Sequence, residues 1–204
     1  MKKIIAILMS CLILIGFTGC GGPSAEEVLK EHMDILCCKD ENKVMEKYIN
    51  GEEVDEQYEK SLGKDLMSLK ASGLDAFMLS MFQNLDYEIN SVEENKDSAT
   101  AKVTFKTIDF GKAYEKAVKK TISWFKNNLS ASSATLTNKI MENFTKEINK
   151  AGKSEKNQTK TVTFLMSKGD DGWEIINGSS ALNEVFSDIE SEMTKVNNNI
   201  ESYF

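Results

Sequence analysis

Asp97-Ser98-Ala99-Thr100-Ala101-Lys102-Val103-Thr104-Phe105-Lys106-Thr107 alternates two kinds of side chain, with Ala99, Ala101, Val103 and Phe105 on one phase and Thr100, Lys102, Thr104 and Lys106 on the other. A period of two sends the sets to opposite faces of a strand, so this segment is predicted to be a half-buried antiparallel strand. Upstream, Tyr87 and Ile89 alternate with acids and amides from Asp86 onward, and Glu93 to Asp97 reads as the polar turn of a hairpin. Far downstream, Val162, Phe164 and Met166 alternate with Thr161, Thr163 and Leu165. Gly169-Asp170-Asp171-Gly172 then reverses the chain, Trp173 and Ile175 return along a partner strand, and Asn177-Gly178 closes this second hairpin.

Outside the hairpins the apolar period is helical. Ser24-Ala25-Glu26-Glu27 has the form of a capping box ahead of Val28, Leu29, Met33, Leu36 and Cys37, which predicts a helix to about Cys38. Val44, Met45, Tyr48 and Ile49 predict a short second helix stopped by Asn50-Gly51. Glu52, Glu53, Asp55 and Glu56 crowd acids where a third helix would begin, at the favourable end of its dipole; a calcium loop would need glycine and ligand alternation that this stretch lacks. Leu66, Leu69, Leu74, Phe77, Met78, Met81, Phe82 and Leu85 continue at helical spacing across Gly73. Between the hairpins, Tyr114, Val118, Thr121, Phe125 and Leu129 form one stripe and Leu136, Ile140, Phe144 and Ile148 another, joined by the small residues Ser130 to Ala134. Leu182, Val185, Phe186, Ile189, Met193, Val196 and Ile200 give a terminal helix. The expected architecture is α+β: a curved antiparallel sheet packed against helices, with a helical hairpin inserted between two β-hairpins.

The amino terminus carries an address. Lys2 and Lys3 precede the apolar run Ile4 to Ile15, which is shorter than the roughly 20 residues needed to span a bilayer and fits a signal-peptide core. Thr18-Gly19-Cys20 follows and resembles the lipobox of bacterial lipoproteins, with Phe17 where that pattern has Leu. The resemblance implies cleavage before Cys20 and diacylation of its thiol. It divides the chain into a signal peptide at 1–19, a lipidated tether at 20–23 and one extracytoplasmic domain at 24–204. Membrane attachment through that lipid is the expected localisation, on the outer side of the cytoplasmic membrane.

Of 204 residues 28% are charged, and all 25 basic residues are lysines. Without the bidentate arginine fork, and with a formal net charge of −7, nucleic acid is a poor partner. Removing residues 1–19 takes away two lysines and leaves −9. Lys112, Lys116, Lys119, Lys120 and Lys126 beside Trp124 and Phe125 could lay a helix on lipid headgroups, yet Tyr114, Val118 and Phe125 already define an inward side, so a solvated face is expected.

Chemical signatures are sparse. Cys11 leaves with the signal peptide and Cys20 takes lipid, so the domain keeps only Cys37 and Cys38, whose side chains diverge by about 100° on a helix. One buried thiol and one near the helix end are expected. His32 with that pair falls short of a zinc set, and without a partner it reads as a partly exposed face residue. No nucleophile-elbow, zinc-helix, P-loop or dinucleotide motif occurs, so no catalytic, metal or cofactor residue is assigned. Asn128, Asn143, Asn157 and Asn177 begin sequons read as accidents of an asparagine-rich chain.

Helices followed by Asp97-Ser98-Ala99-Thr100-Ala101-Lys102-Val103-Thr104-Phe105, and later Gly169-Asp170-Asp171-Gly172-Trp173-Glu174-Ile175, resemble small bacterial lipoproteins with a cystatin-like, or nuclear-transport-factor-two-like, domain. The resemblance implies a sheet curled around the first helix, with the tryptophan sealing its mouth. Tyr87, Phe105, Phe110, Phe164 and Trp173 would then line a cone that takes an unidentified small ligand, the other class of partner being an envelope protein. The competing reading is a small enzyme of the ketosteroid-isomerase type, with Asp86, Tyr87 and Asp109 as its nearest carboxylate and phenol groups. For those three, packing and strand-end turn roles are the simpler expectation.

Overall fold

The strand that opens the sequence reading is the second of a four-stranded antiparallel sheet whose spatial order follows the chain. The computed structural model describes residues 22–54, 75–153, 156–170 and 172–203. Residues 1–21, where the signal peptide and the lipidated Cys20 are expected, and Asp55, Glu56, Leu66, Leu69 and Leu74 lie outside these. In chain order the elements are α1 (Ala25–Leu36), α2 (Val44–Asn50), α3 (Asp75–Gln83), β1 (Asp86–Glu94), β2 (Ser98–Thr107), α4 (Phe110–Phe125), α5 (Ser133–Gly152), β3 (Gln158–Gly169), β4 (Gly172–Ile175) and α6 (Gly178–Asn198), closed by a 3-10 turn at Ile200–Tyr203. The protein is α+β, and the α4–α5 hairpin stands between the two β-hairpins as expected.

Alternation decides which face of the sheet is covered. Ala99, Ala101, Val103, Phe105 and Thr107 of β2 are all buried, as are Val162, Phe164 and Met166 of β3 and Trp173 and Ile175 of β4. The opposite face carries threonines and lysines, and Thr104 Oγ1 lies 2.7 Å from both Asn90 Oδ1 and Thr161 Oγ1. Helix α1 touches both edge strands, β1 and β4, so the sheet bends around it.

Strand β1 runs through Glu94, beyond the turn read from Glu93. A register shift between Ile89 and Ser91 leaves Asn90 as an extra residue. Ile89 opposite Val103 and Val92 opposite Ala101 therefore share the inner face although they are three apart, and the bulge hides the strand from a strict period-two reading.

The helices form for local reasons. Ser24 and Glu27 complete the capping box: Glu27 N donates to Ser24 Oγ (3.3 Å) and Ser24 N to Glu27 Oε2 (2.8 Å). Helix α1 ends at Leu36 with Cys37 as its cap, slightly short of Cys38. Helix α2 stops at Gly51, whose φ of 73° suits glycine. Glu52 and Glu53 follow it outside any helix. Helix α5 starts at Ser133, within the stretch read as a connection, because Ser132 Oγ accepts from Thr135 N at 3.2 Å. Leu129 does not continue the α4 stripe: it follows the helix end and is 74% exposed, while Phe125 is half-buried.

Two aromatic clusters hold the inserted hairpin to the rest. Phe186 of α6 meets Phe82 at 6.3 Å and Phe110 at 6.1 Å, and Phe144 of α5 meets Phe77 at 5.1 Å and Tyr114 at 5.2 Å between ring centroids. Where α5 ends against α3, a Cβ on Gly152 would lie 1.5 Å from Asn84 Oδ1. Asn84 is held there by donating to Ser80 O (2.7 Å) and Asn149 Oδ1 (3.0 Å).

Trp173→Ala should cost about 3–5 kcal/mol in urea unfolding, as for a well-packed aromatic; a loss under about 1 kcal/mol would place the ring at the surface. Gly152→Ala should cost about 1–3 kcal/mol. In an Asn84→Ala background most of that extra loss should vanish, and an undiminished loss would rule out the Asn84 clash as its source.

Candidate functional site

The end of α1 and the start of β1 bring together most of the sequence's titratable candidates. Tyr87 donates its hydroxyl to Asp34 Oδ1 at 2.5 Å, and Asp34 also pairs with Lys30 at 2.5 Å. One residue earlier, Asp86 sits between Lys39 (2.9 Å) and Lys156 (2.6 Å). Lys39 Nζ also lies 5.2 Å from the centroid of the Tyr87 ring. These links tie α1, the segment after it, β1 and the approach to β3 into one corner.

Their electrostatics oppose acid–base work. Partial burial would raise the pKa of Asp86, but hydrogen bonds from Lys156 and Lys39 and their charges outweigh it and bring it down. A carboxylate so held is a weak proton acceptor. Burial, reinforced by the hydrogen bond and charge of Asp34, pushes the Tyr87 phenol up from its ordinary value. Its proton is already committed to Asp34. Asp109, the third candidate, stands elsewhere as the N-cap of α4, accepting from Lys112 N at 2.8 Å.

Of the five residues expected around a cone, four are buried. Phe105 and Phe164 are fully buried with ring centroids 6.3 Å apart, Trp173 is buried on β4, and Phe110 packs on Phe186. Only Tyr87 is half-buried, with its hydroxyl turned to α1.

His32 corrects the sequence reading. Expected as a partly exposed residue, it is 7% exposed, and its Nε2 has no hydrogen-bond partner. Burial lowers its pKa to about 4, so the ring is neutral at pH 7. It shares a helical face with Leu29, Met33 and Leu36, and period alone could have placed it there. Cys37 is buried and Cys38 half-buried, both free, and burial pushes each thiol up to about 12. Thiolate chemistry is thereby disfavoured. Among the described residues no three His, Cys, Asp or Glu side chains gather to hold a metal.

Other polar groups escaped sequence reasoning because their partners are distant in the chain. Glu147, buried at 4% exposure on the inner stripe of α5, pairs with Lys120 of α4. Asn143 donates to Thr121 Oγ1 at 2.9 Å. A glutamate in the stripe Asn143, Phe144, Glu147, Ile148 was the available signal. Asp109, Lys112, Lys116, Glu147 and Lys150 line a polar cleft between α4 and α5. Three sequon asparagines have structural work: Asn143 as above, Asn128, whose Nδ2 donates to Trp124 O (2.8 Å), and Asn177, whose amide extends the β4 ladder by accepting from Leu165 N (2.7 Å) and donating to Thr163 O (2.9 Å).

The fold is thus an α+β domain with a structural ionic corner where a site was sought. Residues 24–189 match the family described as a domain of unknown function, DUF5105, and the chain belongs to that family. Comparison with the curated proteins finds no match. Among solved structures it is similar to YcdA of Bacillus subtilis subsp. subtilis str. 168, described as "a putative lipoprotein", with 18% identity and a TM-score of 0.48. The match covers 79% of this chain and 58% of that one, so the chain spans less than two thirds of that neighbour's length.

The buried imidazole generates a pH prediction. Its folded pKa lies near 4, below the ordinary unfolded value of about 6.5, so the unfolded chain takes up the proton first as pH falls. Stability should be level above about pH 6.5 and drop by up to about 3 kcal/mol towards pH 4. Urea midpoints measured across this window should flatten in His32→Leu; the same slope in that variant would assign the loss to other groups.

Proposed function

We propose that the chain is a bacterial lipoprotein, cleaved before Cys20 and diacylated there, whose domain works outside the cytoplasmic membrane by binding rather than catalysis. The observation that carries this is the capping box at Ser24: it opens helix α1 four residues after Cys20, with Gly21-Gly22-Pro23 between the two. The family match also starts at Ser24. Thr18-Gly19-Cys20 behind a short apolar run supplies the processing signal. Among the described residues no helix is long and apolar enough to cross a membrane.

The enzyme reading has less support, because Asp86 is neutralised by two lysines and Tyr87 is bound to Asp34. A ligand seeking Phe105, Phe164 and Trp173 would have to part a packed core, so recognition by the outer surface is the simpler route. Cells grown with a clickable palmitate analogue should label the wild-type chain. Cys20→Ala should lose the label and either stay uncleaved or leave the membrane fraction. Wild-type processing and membrane retention of that variant would sink the reading.

A further inference from the structure

We propose that the arm formed by α4 and α5 docks on an anionic lipid surface, laying the domain against the membrane that the Cys20 anchor reaches; this rests on the lipoprotein reading above. The first observation is a segregation of charge. From Phe110 to Gly152 the chain has eight lysines and three glutamates, a net +5. The remainder from Cys20 onward has 15 lysines and 29 acids, a net −14. The acidic total therefore conceals a basic arm on an acidic body. Lys112 and Lys116, exposed and at four-residue spacing, flank the polar cleft, and the three acids beside them are occupied: Asp109 by Lys112 N, Glu115 by Lys119 and Glu147 by Lys120.

The second observation is the composition of the tip. Trp124 and Phe125 are half-buried, Leu129 is 74% exposed, and Lys139 lies 5.8 Å from the centroid of the Trp124 ring. Aromatic and aliphatic groups rimmed by lysine suit the headgroup layer.

The third is placement. Ala25 N donates to Glu94 Oε2, so the tether joins at the β1–β2 turn, whereas the arm leaves from the far end of β2. Strand β2 covers roughly 33 Å. Helix α4 adds roughly 24 Å. It travels beside α6 away from the sheet, as Phe110 on Phe186 and the Tyr114 Oη to Asn197 Oδ1 bond (3.0 Å) record. Glu26, Glu27, Glu93 and Glu94 crowd the tether end and are repelled by the anionic surface that attracts the arm. Both forces turn the long axis parallel to the membrane.

The test uses the full acylated protein in vesicles of phosphatidylcholine alone or mixed with phosphatidylglycerol, both with brominated acyl chains that quench tryptophan. Trp173 is buried, so quenching reports Trp124. Quenching is expected in the phosphatidylglycerol vesicles, weakly in the neutral ones, and is expected to fade in high salt. It should disappear in Trp124→Phe and fall about tenfold or more in Lys112→Glu/Lys116→Glu, whose circular dichroism should match wild type. Equal quenching in both lipids, none in either, an unaffected charge-reversal variant, or an arm engaged in self-association regardless of lipid would overturn the proposal. Flotation with neutral vesicles reads the anchor separately: a chain that fails to float defeats the lipoprotein reading, while its quenching by phosphatidylglycerol vesicles still decides the arm.

Discussion

One constraint organises the molecule: among the described strands β2 alone is paired on both sides over nearly its whole length, Ala99 to Lys106 with β1 and Ser98 to Thr107 with β3, and only one of its faces is apolar. Its partners must place their own apolar residues on that face, because a slip of one residue would turn every side chain over. The inner row is graded, small at Ala99 and Ala101 and large at Val103 and Phe105. Helix α1 starts at the small end, where Ala25 N meets Glu94, the register partner of Ala99.

The insertion follows from the same pairing. Strands β2 and β3 are antiparallel neighbours over ten register pairs, so the chain leaves and returns at one end of the sheet. An excursion with fixed, adjacent ends folds most simply as two antiparallel helices, and the entropic cost of its length grows only slowly. It is secured near its base, where Phe110 meets Phe186 of α6 and Phe144 meets Phe77 of α3, with Tyr114 packed on Phe144. Burial declines outward, from Phe144 at 0% to the half-buried Trp124 and Phe125.

The sheet was legible because β2, β3 and β4 keep an uninterrupted period of two, and the helices because their apolar residues recur with period 3.6 beside recognisable caps. What escaped were departures from period with distant causes. Asn90 shifts the phase of β1, a bulge stabilised by Thr104 across the strand and so unmarked locally. His32 was judged by its chemistry, although its spacing to Leu29 and Leu36 already placed it inward. Leu129 obeys the helical period but follows the end of α4, where Asn128 N donates to Phe125 O at 2.8 Å and Asn128 Nδ2 to Trp124 O at 2.8 Å. The candidate site was least legible, because Asp34 with Tyr87, and Lys156 with Asp86, are more than 50 residues apart.

On the proposed lipoprotein reading, the charge distribution shows why a net value would mislead. In free solution a body of −14 and an arm of +5 would give a domain repelled by anionic lipid. The lipid anchor proposed at Cys20 would change the quantity that matters, since encounter would no longer be in question and only orientation would remain. Orientation responds to the separation of charge along the molecule. Here that separation runs from a carboxylate-rich β1–β2 turn, along β2, to lysines on a helical arm. The same inserted hairpin that departs from a minimal sheet-and-helix fold therefore gives the domain its electrical polarity. Within a Debye length of about 8 Å from a charged surface, such a polarity would outweigh the total.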